Sequence, residues 1–600
     1  MSKRKNTPVK YTSRDFDSIK TDLVQHVKRY YPETFRDFSD ASFGSIVLDT
    51  VSYVGDIMSF YLDYQANESF LPTAIEYNNL IKLGKQLGYK FRPSTSSVGI
   101  ATFFIVVPAN DVGLGPDSNY LPVLKKGSQF AATSGTGFVL DEDVRFDEPS
   151  NEVVAARIDE DTGVPTSYAV KAYGKVSSGN IITETITIGG HERFRKVSLS
   201  NSNVTDIVSV FDSNGNEYHE VDYLSQNTVY KDITNNRSDS KDLVPSIIRP
   251  FVVARRFVTE RVGDRTYLQF GYGSEKELSL PSVIDPTDIS MSIHGRRHST
   301  DDAFDPSKLL DTDKFGVVPS NTTLSVTYRV NDSSTTSIGV GALTRIVRPS
   351  FSYNDPLGIN RQTAAGVNSS LEIYNSEQIV GGTTPPSTKE LKTRILDTFA
   401  TQNRAVTSND LRSLVYMMPP KFGSIKRATI IRDPDSFKRN LNLYVLAEDS
   451  NGKLVAPNSL LKENLKVWLN RYKMIHDTVD ILDAKIVNLG IRFTAIADPQ
   501  KNKFDVLSNA KKILEERFSE PMNIGEPFYI TDVYSALNCK SSGIVDTTKV
   551  ELFIKSGGFY STTIFNFDEA MSADGRYLVC PKNVAFEIKF PNADIEGTII

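Results

Sequence analysis

Two histidines, His294 and His298, have the spacing of a zinc-binding helix. An i, i+4 pair places both imidazoles on one side of a helix, and a glutamate directly after the first histidine acts as general base in such sites. In this sequence Gly295 follows His294, and the flanking segments MSI and STDD are not typical of a helix. The pattern therefore does not predict a metal site.

A cluster of acidic residues is the second candidate for chemistry. Its members are Asp141, Glu142, Asp143, Asp147 and Glu148. Two carboxylates about 5 to 10 Å apart across a cleft can serve as the acid and the nucleophile or base of a glycoside hydrolase. Runs of charge are more often solvated loops. The cluster therefore leaves open only a less favoured hypothesis, a β protein that binds or cleaves carbohydrate.

Glycine-rich and nucleophile motifs give no enzyme class either. Gly271-Tyr272-Gly273 follows a predicted strand, but the third glycine of a dinucleotide-binding fingerprint is absent and no helix follows promptly. A hairpin turn explains this segment better. The sequence contains neither a G-x-x-x-x-G-K-[ST] loop nor a G-x-S-x-G elbow.

Three aspartates, Asp49, Asp56 and Asp63, recur every seven residues within an apolar stretch. Seven residues of helix span roughly 10 Å, whereas the ligands of one metal ion lie about 2 to 2.6 Å from it. One cation therefore cannot bridge these carboxylates. The charges also interrupt any apolar run of about 18 residues that a bilayer would accept. The stripe is either a solvated seam or a row of contacts for a basic or hydroxyl-rich partner.

The aspartates belong to a predicted helix that runs from about Ser42 to Asn67. Apolar residues at steps of three, four and seven form two sets on either side of the polar stripe. One set is Val47, Val51, Val54, Met58 and Tyr61, and the other is Ile46, Tyr53, Ile57, Phe60 and Tyr64. A helix that is apolar on two flanks must contact more than one neighbour. The predicted partner interface is Val47, Val51, Val54, Ile57, Met58, Tyr61, Asp49, Asp56 and Asp63.

Length and charge limit the class of protein. A chain of 600 residues exceeds the roughly 250 to 300 residues at which single cores stop growing, so several domains are expected. The 68 basic and 73 acidic residues give a net charge of −5, which does not favour nucleic acid or an anionic membrane as partner. Cys539 and Cys580 cannot form a disulfide framework. No signal peptide or membrane span is recognised, so folding in a reducing cytoplasm is expected.

Changes of pattern along the chain predict a multidomain α+β protein. Residues 1–95 are predicted to form an N-terminal helical hairpin or bundle, in which Thr73 and Glu76 cap the second helix and Gly88 ends it. Residues 96–350 alternate as strands do and predict a β-rich middle region, with an inserted domain at 191–345 as one possible organisation.

The last part of the chain changes pattern twice more. Residues 351–424 are predicted to contain a linker, GGTTPPSTKE at 381–390, and a helical pair whose second helix is capped by Thr407 and Asp410. Residues 425–600 predict a small α+β domain of the split βαβ kind with a short β tail, including a strand at 479–496.

Four segments carry a resemblance to a known family. Residues 41–93, ASFGSIVLDTVSYVGDIMSFYLDYQANESFLPTAIEYNNLIKLGKQLGYKFRP, resemble the N-terminal signature of baseplate wedge subunits of contractile-tailed bacteriophages, in the baseplate J-like group. The FGYG segment, QNRAVTSNDLRSLV at 402–415 and LNRYKMIHDTVDILDAKIVNLGI at 469–491 are similar to later regions of that family. The resemblance therefore extends over most of the chain.

The resemblance implies a structural protein of the virion, without catalytic residues, cofactor or metal. It implies that the N-terminal helices enter a bundle with a second copy of the chain and a different wedge protein, with the sheath-initiator protein docked nearby. It also implies that C-terminal domains join neighbouring wedges into a ring around the tail tube, assembled in the host cytoplasm. A wedge subunit of a non-viral contractile injection system is the alternative that the sequence leaves open.

Overall fold

The structure is a computed structural model that describes residues 15–33, 39, 42–91, 95–110, 115–161, 163–234, 246–263, 265–274, 315–331, 336–355, 358–402, 404–433, 440–474, 476–539 and 543–600. The chain divides into two compact units. Unit 1 comprises Met1–Phe91 and Pro386–Gln402, and unit 2 comprises Arg92–Pro385 and Asn403–Ile600. The histidine pair His294 and His298 lies outside the described residues.

The helices of the described chain are labelled in order. They are α1 (Phe16–Tyr30), α2 (Phe43–Glu68), α3 (Tyr77–Gln86), α4 (Arg361–Ser369), α5 (Thr388–Thr401), α6 (Ser408–Tyr416), α7 (Ser459–Leu469), α8 (Lys503–Arg517), α9 (Ile530–Leu537), α10 (Phe567–Ala570) and α11 (Pro591–Asp594). Unit 1 contains α1, α2, α3 and α5.

The strands of the described chain all lie in unit 2. Up to the end of the first β region they are β1 (Val98–Pro108), β2 (Val123–Leu124), β3 (Gln129–Ala132), β4 (Gly137–Leu140), β5 (Val144–Arg145), β6 (Glu152–Ile158) and β7 (Pro165–Ser178). Next come β8 (Asn180–Ile188), β9 (Lys196–Ser198), β10 (Val204–Phe211), β11 (Glu217–Glu220), β12 (Thr228–Thr234), β13 (Ser246–Val252), β14 (Arg256–Val262), β15 (Arg265–Phe270) and β16 (Thr322–Val330). The remainder are β17 (Leu343–Arg348), β18 (Phe351–Ser352), β19 (Glu372–Tyr374), β20 (Arg427–Arg432), β21 (Asn440–Glu448), β22 (Leu454–Val455), β23 (Thr478–Asp483), β24 (Lys485–Ala497), β25 (Phe528–Tyr529), β26 (Ile544–Lys555), β27 (Tyr577–Leu578), β28 (Val584–Glu587) and β29 (Ile595–Ile599).

In unit 1, α3 packs against α5. Leu80 of α3 is buried with Leu391 and Ile395 of α5 in one apolar cluster. A Cβ on Gly84 would lie 2.8 Å from Ile395 Cδ1, so the glycine allows the two helices to approach closely. A helix that is distant in the sequence, which the local pattern did not predict, thus packs against α3.

The start of α3 also differs from the prediction, whereas its end agrees. The helix begins at Tyr77, and Thr73 Oγ1 donates a hydrogen bond to the Asn67 carbonyl at 2.7 Å, so the predicted capping box with Glu76 does not form. Gly88 has a φ of +85°, the left-handed conformation that ends helices. The end of the helix thus follows its local glycine signal, whereas Thr73 is engaged within the α2–α3 turn and does not cap the helix.

In unit 2, two large sheets follow one another. The first has the strand order β17-β3-β4-β7-β1-β19, with β6 paired to β7, and the second has the order β8-β16-β10-β11-β14-β15-β9. Each encloses its own apolar core. In the sequence, the strands of the second sheet thus lie between β7 and β17 of the first sheet, and β12 and β13 form a two-stranded sheet of their own. That residues 191–345 form an inserted domain with defined limits stays a prediction. The predicted domain boundaries at 1–95, 96–350, 351–424 and 425–600 also stay predictions.

The C-terminal part contains two α+β layers. Strands β20 to β23 form one sheet with α6 and α7 on its core, and β24, β26, β28 and β29 form another with α8 and α9. The predicted strand at 479–496 is two strands, β23 and β24, because the chain passes from one sheet to the other at Ala484, which is buried. With a helical N-terminal region, a β-rich middle and a mixed C-terminal region, the predicted α+β class is confirmed.

The composition of residues 381–390 predicts a linker, but residues 381–384 are built into unit 2. The Gly381 carbonyl accepts a hydrogen bond from Ser424 N–H at 2.8 Å. A Cβ on Gly381 would lie 3.1 Å from the Cα of Gly423, so the glycine allows close backbone contact and does not act as a flexible spacer.

A buried ion pair holds the end of the same segment. Glu448 is 1% exposed and Lys426 7% exposed, with 2.9 Å between Oε2 and Nζ. The Glu448 carboxylate also accepts hydrogen bonds from Thr384 N–H at 3.0 Å and Thr384 Oγ1 at 2.9 Å. The chain passes from unit 2 to unit 1 between Pro385 and Pro386, directly after this contact.

Candidate functional site: the surface of helix α2

Helix α2 forms because its cap and its side chains both favour it. Ser42 is the N-cap, and its Oγ accepts a hydrogen bond from Ser45 N–H at 3.1 Å. The helix ends at Glu68, so the predicted helix from Ser42 to Asn67 is confirmed within a residue or two. No proline interrupts it.

The polar stripe of α2 faces α1 of the same chain. Lys20 of α1 forms an ion pair with Asp49, with 2.8 Å between Nζ and Oδ1. A Cβ on Gly55 would lie 3.3 Å from Ile19 Cδ1, and Ser52 has no exposed surface. Small and polar side chains therefore occupy the side of α2 that is covered within this chain.

This arrangement modifies both interpretations of the aspartate stripe, the solvated seam and the row of contacts for a partner. Asp49 contacts a basic residue, but the residue belongs to the same chain. Asp56 is half-buried and Asp63 is exposed, so the stripe becomes more solvated toward the C-terminal end of the helix. Asp49 of the stripe contacts α1.

Most apolar residues of α2 face solvent and not α1. Of the six apolar residues in the predicted interface, only Ile57 is half-buried, and the exposed ones are Val47, Val51, Val54, Met58 and Tyr61. The second set is exposed as well at Ile46, Tyr53, Phe60 and Tyr64. Soluble monomers rarely expose a contiguous apolar patch of this kind, and such patches mark contacts with other molecules.

Four further apolar side chains belong to this exposed surface and were not predicted. Phe43 is 81% exposed, and Leu62, Phe70 and Ile75 are also exposed. Phe43 lies in the first turn, Leu62 falls outside both periodic sets, and the other two lie in the turn between α2 and α3. In the sequence, each of the four is a large apolar residue that lies next to a predicted interface residue or near an end of the helix.

Glu68, the last residue of α2, fixes the turn that leads into α3. Its carboxylate accepts hydrogen bonds from Ile75 N–H at 2.7 Å, from Asn79 Nδ2 at 3.0 Å and from Glu76 N–H at 3.3 Å. The Ile75 backbone bond, followed by the Asn79 amide, holds the pKa of Glu68 below its usual range. The carboxylate thus orders the turn just before α3, and the N-cap residue Glu76 makes no side-chain cap hydrogen bond.

The acidic cluster is engaged in ion pairs. Four of its members pair with a basic side chain: Asp141 with Arg329 at 3.0 Å, Glu142 with Lys175 at 3.5 Å, Asp143 with Lys125 at 2.9 Å, and Asp147 with Arg145 at 2.9 Å. Hydrogen bonds from Lys126 N–H and the Lys125 ammonium lower the pKa of Asp143, and the Arg145 guanidinium lowers that of Asp147. A glycosidase needs one carboxyl whose pKa is raised, so both shifts run against the hydrolase hypothesis.

Two other kinds of site are absent from the described ranges. No group of three or more His, Cys, Asp or Glu side chains in that part of the chain could hold a metal ion. Among the same residues, no helix is long and apolar enough to cross a membrane.

Comparison with known proteins agrees with the location of the surface. Residues 15–86 match the family model described as the N-terminal domain of bacteriophage baseplate proteins. The matched segment spans α1, α2 and α3. No curated protein matches the sequence. The family match thus identifies this segment as similar to the N-terminal domain of baseplate proteins.

Two solved assemblies show distant likeness. A chain of the anti-feeding prophage baseplate, solved with six-fold symmetry, is 9% identical, with 96% of this chain and 98% of that chain covered and a TM-score of 0.25. A chain of the type VI secretion TssK-TssF-TssG baseplate subcomplex is 10% identical, with 72% and 95% covered and a TM-score of 0.24. TM-scores this low do not establish a shared fold.

Proposed function

We propose that this chain is a wedge subunit of a contractile phage tail baseplate and works by assembly, not by bond chemistry. In this proposal α2 enters a helical bundle with a second copy of the chain and a different wedge protein, and the sheath-initiator protein docks nearby. The C-terminal region contributes to a ring around the tail tube. The protein assembles in the host cytoplasm and resides in the virion. A wedge of a non-viral contractile injection system is the alternative.

The observation that carries the proposal is the inverted surface of α2. A helix of a soluble protein normally buries its apolar side, but here Ser52 is buried and Val51, beside it, is 48% exposed. Full burial of one Val, Leu or Phe side chain is worth about 1.5 to 3 kcal/mol. Several such residues on two flanks would drive association with more than one neighbouring helix.

The matched segment supports the same part of the chain as the place of assembly. The family model begins at residue 15 and ends at residue 86, the last residue of α3. The exposed apolar side chains of α2 all lie inside that range. Sequence similarity and physical exposure are separate observations, and they favour the same segment.

A division of labour follows for contraction. If the ring widens when the tail fires, the bundle can persist as a rigid body while the ring contacts change. Cross-links that lock α2 to its bundle partners should then leave contraction intact, and cross-links between ring neighbours should block it. The reverse pattern would refute this assignment.

The test of the bundle uses three substitutions in the full chain, co-expressed with the other proteins of its operon. Val51→Asp and Ile57→Asp place a charge in the proposed interface, where an unpaired buried charge costs several kcal/mol. Asp56→Asn, on the polar stripe, is the matched control. Recovery of the complex is measured by size-exclusion chromatography with light scattering. Normal incorporation of both aspartate variants into the complex would contradict the assignment of α2 to the interface.

A further inference from the structure

The chain crosses from the first sheet of unit 2 to the second at Gly179, the single residue between β7 and β8. Its φ of +118° is a conformation that favours glycine. A Cβ at this position would lie 2.7 Å from Cγ of Arg329, which belongs to β16. The strand that enters the second sheet and the neighbouring strand β16 therefore meet closely at this crossing.

The contact between the sheets at the crossing is polar, although each sheet has an apolar core. Among the described residues, the two cores have no member in common. At the crossing lie Arg329, Asn331, Ser177 and Ser178, all of which are buried. Parts of a chain that have separate cores and meet through polar groups resemble partners in a transient interface, across which relative motion is expected.

Arg329 is shared between one carboxylate of each sheet. Its Nη2 lies 3.0 Å from Oδ1 of Asp141, directly after β4 of the first sheet, and its Nε lies 3.2 Å from Oδ1 of Asp206 in β10 of the second. The Asp141 contact is a hydrogen bond, whereas the Asp206 contact lacks hydrogen-bond geometry. Ser177 Oγ also donates to Asp141, at 2.7 Å. The Asp141 contact therefore sets the direction of the guanidinium across the crossing.

This contact can open without leaving a buried charge unpaired. When it opens, Arg329 stays beside Asp206 within the second sheet, and the Asp141 side chain, already 35% exposed, enters water. Burial raises the pKa of Asp206, and the Arg329 and Lys421 cations act against that rise, so Asp206 keeps its compensating charge. The large cost of an unpaired buried charge is thereby avoided.

Asn331, which follows β16, divides its contacts in a similar way. Its Nδ2 donates to Thr205 Oγ1 in the second sheet at 2.9 Å. Its contacts with the segment before β1 are longer, at 3.3 Å to the Thr95 carbonyl and 3.4 Å to Ser96 Oγ. Hydrogen bonds weaken as they lengthen beyond about 3.2 Å. Asn331 is therefore held more firmly within its own sheet than across the crossing.

We propose that the second sheet is a pivoting module, which turns as a rigid body about Gly179 and is held in its present orientation by the Arg329–Asp141 contact. Rigid-body motion of this kind bends the chain at the end of an element and leaves the packed core of each part intact. Both sheets lie outside residues 15–86 and α2, so the inference does not depend on the proposed bundle.

The test measures the distance between the sheets in the full chain. Tyr173 of β7 and Phe211 of β10, both exposed, are replaced by p-acetylphenylalanine and spin-labelled, which leaves the native cysteines unlabelled. Double electron–electron resonance is recorded with an excess of unlabelled chain, so that only distances within one copy contribute. Asp141→Ala removes the proposed contact. Asp143→Ala is the matched control, because Asp143 pairs with Lys125 and does not reach the second sheet.

The parent should give one narrow distance distribution, and Asp141→Ala should make it about twice as wide or add a second peak. Asp143→Ala should match the parent. Exchange of the Val326 and Tyr328 amides, in the core of the second sheet, should be unchanged in both variants, since the module turns without unfolding. A parent-like distribution in Asp141→Ala, equal broadening in Asp143→Ala, or faster exchange of these core amides in Asp141→Ala would each overturn the proposal.

Discussion

Lys20 of α1 and Asp49 of α2 form an ion pair with 2.8 Å between Nζ and Oδ1. The pair places α1 on the polar side of α2 and leaves the apolar side exposed. Both side chains are partly exposed, so the pair is worth about 0 to 1 kcal/mol and orients the helices more than it stabilises them. The side of α2 that its own chain covers thus determines which apolar residues of this helix remain exposed.

Ser52 tests the packing of α1 on α2. Ser52→Leu should overfill this side of α2 and cost about 1 to 3 kcal/mol, because Ser52 has no exposed surface. Ser52→Ala, which removes only a hydroxyl bonded to the Leu48 carbonyl of its own helix, should change little. Hydrogen–deuterium exchange of α1 amides measures the difference. Equal protection in both variants would contradict the packing of α1 on this side.

Glu68 predicts an acid sensitivity of the α2–α3 turn. Because hydrogen bonds lower the pKa of this carboxyl in the folded chain, its stabilising effect is present above the ordinary Glu pKa and is lost as pH falls through the lowered value. Exchange of the Ile75 and Glu76 amides should therefore accelerate on acidification beyond the intrinsic pH trend. In Glu68→Gln that additional dependence should disappear, and its persistence would assign the effect to another group.

Gly84 predicts a coupled pair across α3 and α5. Gly84→Ala should cost about 1 to 3 kcal/mol, since the new methyl group would lie 2.8 Å from Ile395 Cδ1. Ile395→Val removes that atom, so the double variant should be more stable than the sum of the single effects predicts. Protection of α3 amides reports each variant. Additive effects would mean that the two residues do not share the contact.

The contacts of Glu448 with Lys426 and Thr384 predict that the segment at Thr384 is held firmly in unit 2. Glu448→Gln leaves the buried Lys426 ammonium without its counter-charge and should destabilise the surrounding part of unit 2 by about 3 to 5 kcal/mol. Adding Lys426→Met removes the orphaned charge and should restore much of the loss. Thermal unfolding with local exchange at Thr384 N–H follows both. A single variant as stable as the parent would contradict a tightly held segment.

The sequence predicted what local periodicity encodes. The limits of α2, the Thr407–Asp410 capping box and the glycine end of α3 are all confirmed, because each depends on residues within a few positions of one another. Val51 and Met58 belong to the predicted partner interface, and both are exposed. That they contact a partner stays a prediction.

Contacts between distant residues were not predictable in this way. The packing of Leu80 on Leu391 joins segments about three hundred residues apart, which no local pattern encodes. The break of the predicted strand at Ala484 arises because two sheets compete for one continuous β pattern. The packing of residues 381–384 replaced a linker composition for the same reason, since glycines serve close contact as well as flexibility.

The most direct test of the account is the mass of the complex that forms when the full chain is co-expressed with the other proteins of its operon. Size-exclusion chromatography with light scattering should show a stable complex that holds two copies of this chain and a larger partner, and Val51→Asp should abolish it while Asp56→Asn should not. A chain that remains a well-behaved monomer with every neighbour, or a Val51→Asp complex of unchanged mass, would contradict the proposed role of α2.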